Sequence, residues 1–149
     1  METRDAMKVL GDFSTDQWGL VTSAQATRSE VDRTTLTRLV NAGLLDHVRR
    51  GVYAVRAAPE DPLREIRAAW LQLNPSVPAW RRPLLDPDGG LASHSTATQV
   101  HQLGDLLTGK LQFIVPRRRT SRHPDIGLRR LSLEPSDVTK SEGLPVTTA

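Results

Sequence analysis

The stretch "DRTTLTRLVNAGLLDHVRRGVYAV", residues 32–55, decides how the chain is read. Asp32 is a good N-cap, because its carboxylate can accept from the amides of a first helical turn. Gly43 can take the left-handed backbone that closes a helix. The helix so bounded runs over 33–42. At about 100° per residue, Leu36, Leu39 and Val40 share one face and Thr34, Thr37, Arg38 and Asn41 share the other. Two extended runs follow, "LLDHV" and "VYAV", with "RRG" between them. Gly51 supplies the positive backbone angle of a tight hairpin. A helix that only filled a core would not need that polar outer stripe.

Upstream, residues 2–10 suit a short helix with Gly11 as its stop. "STDQ" (Ser14–Gln17) and "TSAQ" (Thr22–Gln25) both have capping-box spacing, so each is expected to open a short helix. Short helices, then a helix with a polar outer face, then a hairpin, is the order of a winged helix-turn-helix. In that arrangement the last helix enters the DNA major groove and the hairpin touches backbone or minor groove. Specific roles follow. Arg38 forks onto a guanine edge and Asn41 pairs with an adenine edge. Thr34 and Thr37 reach phosphate or a thymine methyl, and Arg49 and Arg50 grip the backbone or a narrow minor groove. Gln25 and Thr27 add phosphate contacts from the preceding helix. The bland alternative is a solvated helix face. The arginine-tipped hairpin directly after the helix weighs against it.

Downstream, "RAAPEDP" (56–62) is a linker by composition. "PLREIRAAWLQL" is an amphipathic helix with Leu63, Ile66, Trp70 and Leu73 on one face. The stretch 74–90 is rich in Pro and Gly and reads as irregular. A helix is expected from Ser93, then a strand "LQFIV", a basic loop "PRRRTSRHPD", a strand "IGLRRLSL" and an extended run "GLPVTTA" that breaks off. The second region therefore reads as small or truncated. Trp18, Trp70 and Trp80 are expected in the core or at contacts between domains.

Bulk composition narrows the function classes. The chain has 149 residues and no cysteine, which excludes disulfides, thiol nucleophiles and Cys-bearing zinc sites. Aromatics are only 4%, so the core must be mostly aliphatic. No apolar stretch approaches a membrane span or a signal core, which leads us to expect a cytoplasmic protein. The net charge is only +3, which argues against bulk coating of nucleic acid and for local patches. One patch is plain. Residues 117–130 hold six arginines against one acid, and Arg117, Arg118, Arg119 and Arg122 form a second basic cluster suited to DNA phosphate, an acidic partner or plain solvation.

Other chemistries find little support. "GDLLTGKL" (104–111) fits a phosphate loop until its last position, where Leu111 replaces the hydroxyl that holds magnesium. It also has a helix before it and a strand after it, the reverse of the required order. His94, His101 and Asp105 can share a helix face, but without a His-x-x-x-His pair the zinc reading is weak. His94 is better read as a hydrogen-bonded histidine. Ser93, His94 and Ser95 are too close in sequence for a nucleophile–base pair, and no nucleophile elbow appears. We therefore expect no catalytic residue, no metal and no cofactor.

The segments "WGLVTSAQA", "LTRLVNAGLLDHVRRGVYAV", "SHSTATQVHQLGDL", "FIVPRRR" and "GLPVTTA" occur in an order that resembles AbiEi-type antitoxins of type IV toxin–antitoxin systems, over about residues 15–149. The resemblance implies an N-terminal winged helix that binds repeats in its own promoter and represses it. It also implies a C-terminal domain that counteracts a nucleotidyltransferase-like toxin. The implied DNA contacts are Thr34, Thr37, Arg38, Asn41, Arg49 and Arg50. Family members usually continue into further helices past the stretch matching "PVTTA".

The expected fold is thus α+β: a winged helix-turn-helix over 1–57, a linker at 58–61, and a small or truncated α+β antitoxin region over 62–149. The expected partners are double-stranded promoter DNA, bound by a homodimer or cooperatively on two repeats, and the cognate toxin. Two alternatives stay open: a protein-interaction module that neutralises the toxin without binding DNA, and an enzyme that inactivates it by phosphoryl transfer to Ser or Thr.

Overall fold

The computed structural model describes residues 1–86, 88–93, 96–97, 100, 111–115, 123–131 and 133–147. Among these it contains four α-helices and two sheets, an α+β architecture. Arg117, Arg118, Arg119 and Arg122, together with His94, His101 and residues 104–110, lie outside the described residues.

The first helix, α1 (Thr3–Ser14), is longer than its sequence suggests. It buries Ala6, Leu10 and Ser14, a row spaced by four that continues past Gly11. A helical Gly costs only about 1 kcal/mol relative to Ala, less than the gain from burying the last turn. The Ser14 hydroxyl donates back to the Gly11 carbonyl at 3.2 Å, so "STDQ" opens no helix. The chain instead turns through Trp18 (φ +57°) and Gly19 (φ +76°) into β1 (Leu20–Thr22), a three-residue strand buried throughout.

"TSAQ" does open a helix, α2 (Ser23–Arg28). The Thr22 hydroxyl accepts from the Gln25 backbone amide at 3.1 Å, and the Gln25 side-chain oxygen Oε1 accepts from the Thr22 backbone amide at 3.0 Å. α3 (Arg33–Asn41) starts at Asp32, whose carboxylate accepts from the Thr35 amide at 2.8 Å. It ends in a Schellman motif: Gly43 (φ +77°) donates to Val40 and Leu44 donates to Leu39. The hairpin is β2 (Leu45–Arg49) and β3 (Val52–Val55), turned by Arg50 and Gly51 (φ +74°). β3 is the middle strand of an antiparallel sheet ordered β1-β3-β2. Ala6, Leu10, Val21, Ala26, Val31, Leu36, Leu39 and Leu45 form the core beneath it.

The first unit does not end at residue 57. α4 (Arg64–Leu73) packs on all three strands and buries Leu63, Ile66, Trp70 and Leu73, the predicted stripe, and Ala68, Ala69 and Leu71 besides. Arg67 of α4 pairs with Asp61 at 2.5 Å and lies 4.8 Å over the Trp18 ring. The segment after α4 is tied back to α2: the Pro75 carbonyl accepts from the Thr22 hydroxyl at 2.6 Å, and Ala79 donates to Gln17 at 3.0 Å. The compact units are accordingly Met1–Arg81 and Arg82–Ala149, which puts the expected linker and α4 inside the first. Of the tryptophans, Trp70 is buried, Trp18 is half-buried, and Trp80 packs on Phe13 but stays 49% exposed.

The second unit holds β4 (Leu91–Ala92), β5 (Leu111–Val115), β6 (Ile126–Arg130), β7 (Val138–Ser141) and β8 (Leu144–Thr147), in the order β6-β5-β4-β8-β7. β5 and β6 pair in parallel, as do β4 and β8. β4 and β7 escape the sequence reading because one has two residues and the other is mostly polar. β8, from the last extended run expected in the sequence, is an interior strand paired on both sides. Leu91, Ile114 and Val138 form a small core with Leu133 against it.

Candidate nucleic-acid interface

α2, α3 and the hairpin enclose a groove of about 700 Å³. Its walls are Ser23, Ala24 and Thr27 from α2, Arg33, Leu36, Thr37 and Val40 from α3, and His47, Arg50, Gly51 and Tyr53 from the hairpin. No acid lines it. The approach of α2 to the hairpin is fixed by the Ser23 amide, which donates to the Gly51 carbonyl at 2.9 Å. His47 and Tyr53 face one another across the hairpin register, their ring centroids 5.2 Å apart.

The cations around this surface fall into two groups. Arg33 and Arg50 are exposed and line the groove, and their guanidinium groups make no hydrogen bond or ion pair among the described residues. The others are engaged. Arg28 donates to the Ser76 carbonyl at 3.5 Å, and Arg56 pairs with Asp46 at 2.7 Å. Arg38 donates to the Met1 carbonyl at 2.7 Å, in a separate hollow lined also by Glu2, Thr3 and Asp5.

The other residues singled out in the sequence divide similarly. Thr34, Thr37 and Asn41 lie exposed on the outer face of α3, as expected, and Thr37 also lines the groove. Thr27 lines it from α2, with its hydroxyl donating to the Ser23 carbonyl at 2.9 Å. Two expectations need correction. Gln25 is 2% exposed; its side-chain amide is matched with that of Gln17 and cannot reach a phosphate. The Arg49 side chain is only 9% exposed and turns onto α4, where it meets Gln72 at 2.7 Å and Glu65 at 3.3 Å. The hairpin thus presents Arg50 outward from the turn and Arg49 inward, the register shift between His47 and Arg49 turning Arg49 away from the His47 face.

Arg33, His47 and Tyr53 went unassigned in the sequence. Arg33 stands one helical turn before Thr37, a spacing that puts the two on one row. His47 and Tyr53 align only because a bulge between His47 and Arg49 shifts the register by one; the two-residue turn alone would set His47 opposite Ala54.

Asp32 orders the first turn of this helix. Hydrogen bonds from the Thr35 side chain and backbone hold its carboxyl below the usual range, so it stays ionised beside Arg33. Among the described residues no three His, Cys, Asp or Glu side chains cluster as a metal site, and no helix is long and apolar enough to cross a membrane.

No curated protein matches the chain. It is over residues 12–56, from the last turn of α1 to the end of the hairpin, that the chain matches the family described as the AbiEi antitoxin, a transcriptional regulator.

Proposed function

We propose that α1 to β3 form a winged helix-turn-helix that binds double-stranded DNA, with α3 laid in the major groove and the hairpin as the wing. The observation that carries this reading is the groove between α2, α3 and the hairpin, lined among the described residues by no acid and by Arg33 and Arg50, whose guanidinium groups have no partner there. Phosphate supplies the counter-charge such cations lack, and the exposed Thr34, Thr37 and Asn41 offer donors and acceptors to base edges. The element order α1-β1-α2-α3-β2-β3 supports it independently.

In this reading the chain binds its own promoter, as a homodimer on an inverted repeat or cooperatively on two repeats, and represses it. The residues beyond the first unit counteract a nucleotidyltransferase-like toxin. The regulatory and antitoxin roles rest on the description of the matched family.

Fluorescence anisotropy tests the proposal. The full chain is titrated into duplex DNA from upstream of its own gene and into a random duplex, with salt raised from about 50 to 200 mM. Binding that favours the upstream duplex and weakens with salt is the expected result. Equal, weak binding to both overturns the DNA reading and leaves a module that acts on its toxin by protein contact alone.

A further inference from the structure

We infer that Arg33, rather than Arg38, is the residue that reads base sequence, by forking onto the O6 and N7 edge of a guanine in the major groove; the inference rests on the DNA-binding reading above. Its ligand chemistry is planar and bidentate, which a guanidinium matches and an ammonium does not.

Three observations converge on this assignment. The first is position along the helix. Arg33 is the first residue of α3 and Arg38 lies in its last turn. A recognition helix that enters the major groove does so with its N-terminal residues against the base edges.

The second is direction. On a helix of 3.6 residues per turn, Arg33 and Thr37 are about 40° apart, whereas Arg38 is about 100° further round from Thr37. Arg33 and Thr37 both line the groove shared with the hairpin, and Arg38 does not. Whatever contacts Arg50 at the hairpin tip therefore meets Arg33 and Thr37 on the same side.

The third is engagement. Arg33 has no protein partner among the described residues, so no contact is lost when DNA binds. Arg38 gives its guanidinium to the Met1 carbonyl in a hollow that also carries Glu2 and Asp5. Recruiting it would break that bond and bring DNA phosphates towards two acids. Thr37, one turn on from Arg33, is placed to set its methyl against a neighbouring thymine methyl.

The test compares the full-length wild type with Arg33→Ala, Arg33→Lys and Arg38→Ala. Each is titrated into the upstream duplex and the random duplex, and circular dichroism checks that each is folded. The wild type is expected to prefer the upstream duplex. Arg33→Ala and Arg33→Lys should both cut that preference about tenfold or more, and Arg33→Lys should keep the wild-type salt dependence because its charge is kept. Arg38→Ala should change it by less than about threefold. If Arg38→Ala removes the preference and Arg33→Ala does not, or if both remove it equally, the assignment to Arg33 is overturned while DNA binding stands. If Arg33→Lys keeps full preference, a point charge suffices and the forked contact is overturned. A wild type without preference removes the DNA reading itself, and the inference with it.

Discussion

Arg49 at the end of β2 donates from Nε to the Gln72 side-chain oxygen on α4 at 2.7 Å, and the same Gln72 donates from Nε2 to the Arg50 carbonyl at 2.9 Å. One amide thus holds both hairpin-tip arginines from beneath, one by its side chain and one by its backbone. α4 lies outside the matched segment 12–56, yet it fixes how the tip is presented. Gln72→Ala removes both contacts and leaves the largely buried Arg49 guanidinium without its Nε acceptor, although its pairing with Glu65 is kept. A loss of about 1–2 kcal/mol in unfolding free energy is expected by urea titration. Gln72→Glu keeps the acceptor for Arg49 and loses the donor to Arg50, so it should recover at least half of that. Equal losses in the two variants would show that the Arg49 contact contributes nothing.

The Gln17 and Gln25 amides bond reciprocally, at 2.7 and 3.2 Å, inside a core where neither is more than 2% exposed. Gln17 also reaches the Leu20 carbonyl and the Ala79 amide, which draws α2, the turn after α1 and the segment after α4 to one point. Replacing either with Leu strands polar groups without water, at about 1–3 kcal/mol each. Replacing both removes two of the groups that would otherwise be stranded. The double variant should therefore be more stable than the sum of the singles predicts, by at least about 0.5 kcal/mol in a double-mutant cycle. Strict additivity would mean that the pair is not coupled.

These two networks show which parts of the structure were legible in sequence. Local rules worked where chemistry and spacing were local. Asp32 and Gly43 bounded α3, Gly51 turned the hairpin, and Thr22 to Gln25 capped α2. They failed where a side chain's fate is decided by a distant partner. Gln25 has an ordinary polar position on a short helix until residues 75–79 cover it, and Arg49 looks like a free wing arginine until α4 packs under the strand. "STDQ" had the right spacing for a cap, but Ser14 was already the end of a longer helix. The linker composition of 56–62 marked a turn, and the packing of α4 on the sheet kept it within the first unit. In the groove, Thr37 was read and Arg33 was not. A helix-wheel division into two faces hides the difference between the side towards the hairpin and the side towards Met1.

Gly43 follows α3 with φ +77°, and a Cβ there would stand 3.1 Å from Arg56 Nη1, the far end of a side chain held by Asp46. The backbone angle, more than the contact, sets the cost of substitution. Gly43→Ala should lower stability by about 1–2 kcal/mol, the ordinary penalty for a left-handed non-glycine residue. Gly43→Asn should cost clearly less, because asparagine tolerates that conformation. Thermal unfolding of the two variants separates these outcomes. An alanine as benign as asparagine would show that the turn after α3 relaxes without penalty.

Asp32 links the recognition-helix candidate to pH. Its carboxyl is held below the usual range by the Thr35 hydrogen bonds, so the folded state binds this proton more weakly than the unfolded chain does. The stability it contributes is fully present above the ordinary carboxylate value of about 4 and is lost as pH falls through its lowered folded value. Asn caps a helix about as well as Asp but carries no charge to titrate. Asp32→Asn should therefore match the wild type closely at pH 7 and lose less stability than the wild type on going to acid. Asp32→Ala should be weaker already at pH 7, where the Thr35 amide loses its partner. Urea unfolding of all three proteins between about pH 7 and pH 3 supplies the test. Parallel acid limbs for wild type and Asp32→Asn would show that the Thr35 bonds do not discriminate between the charged and neutral cap.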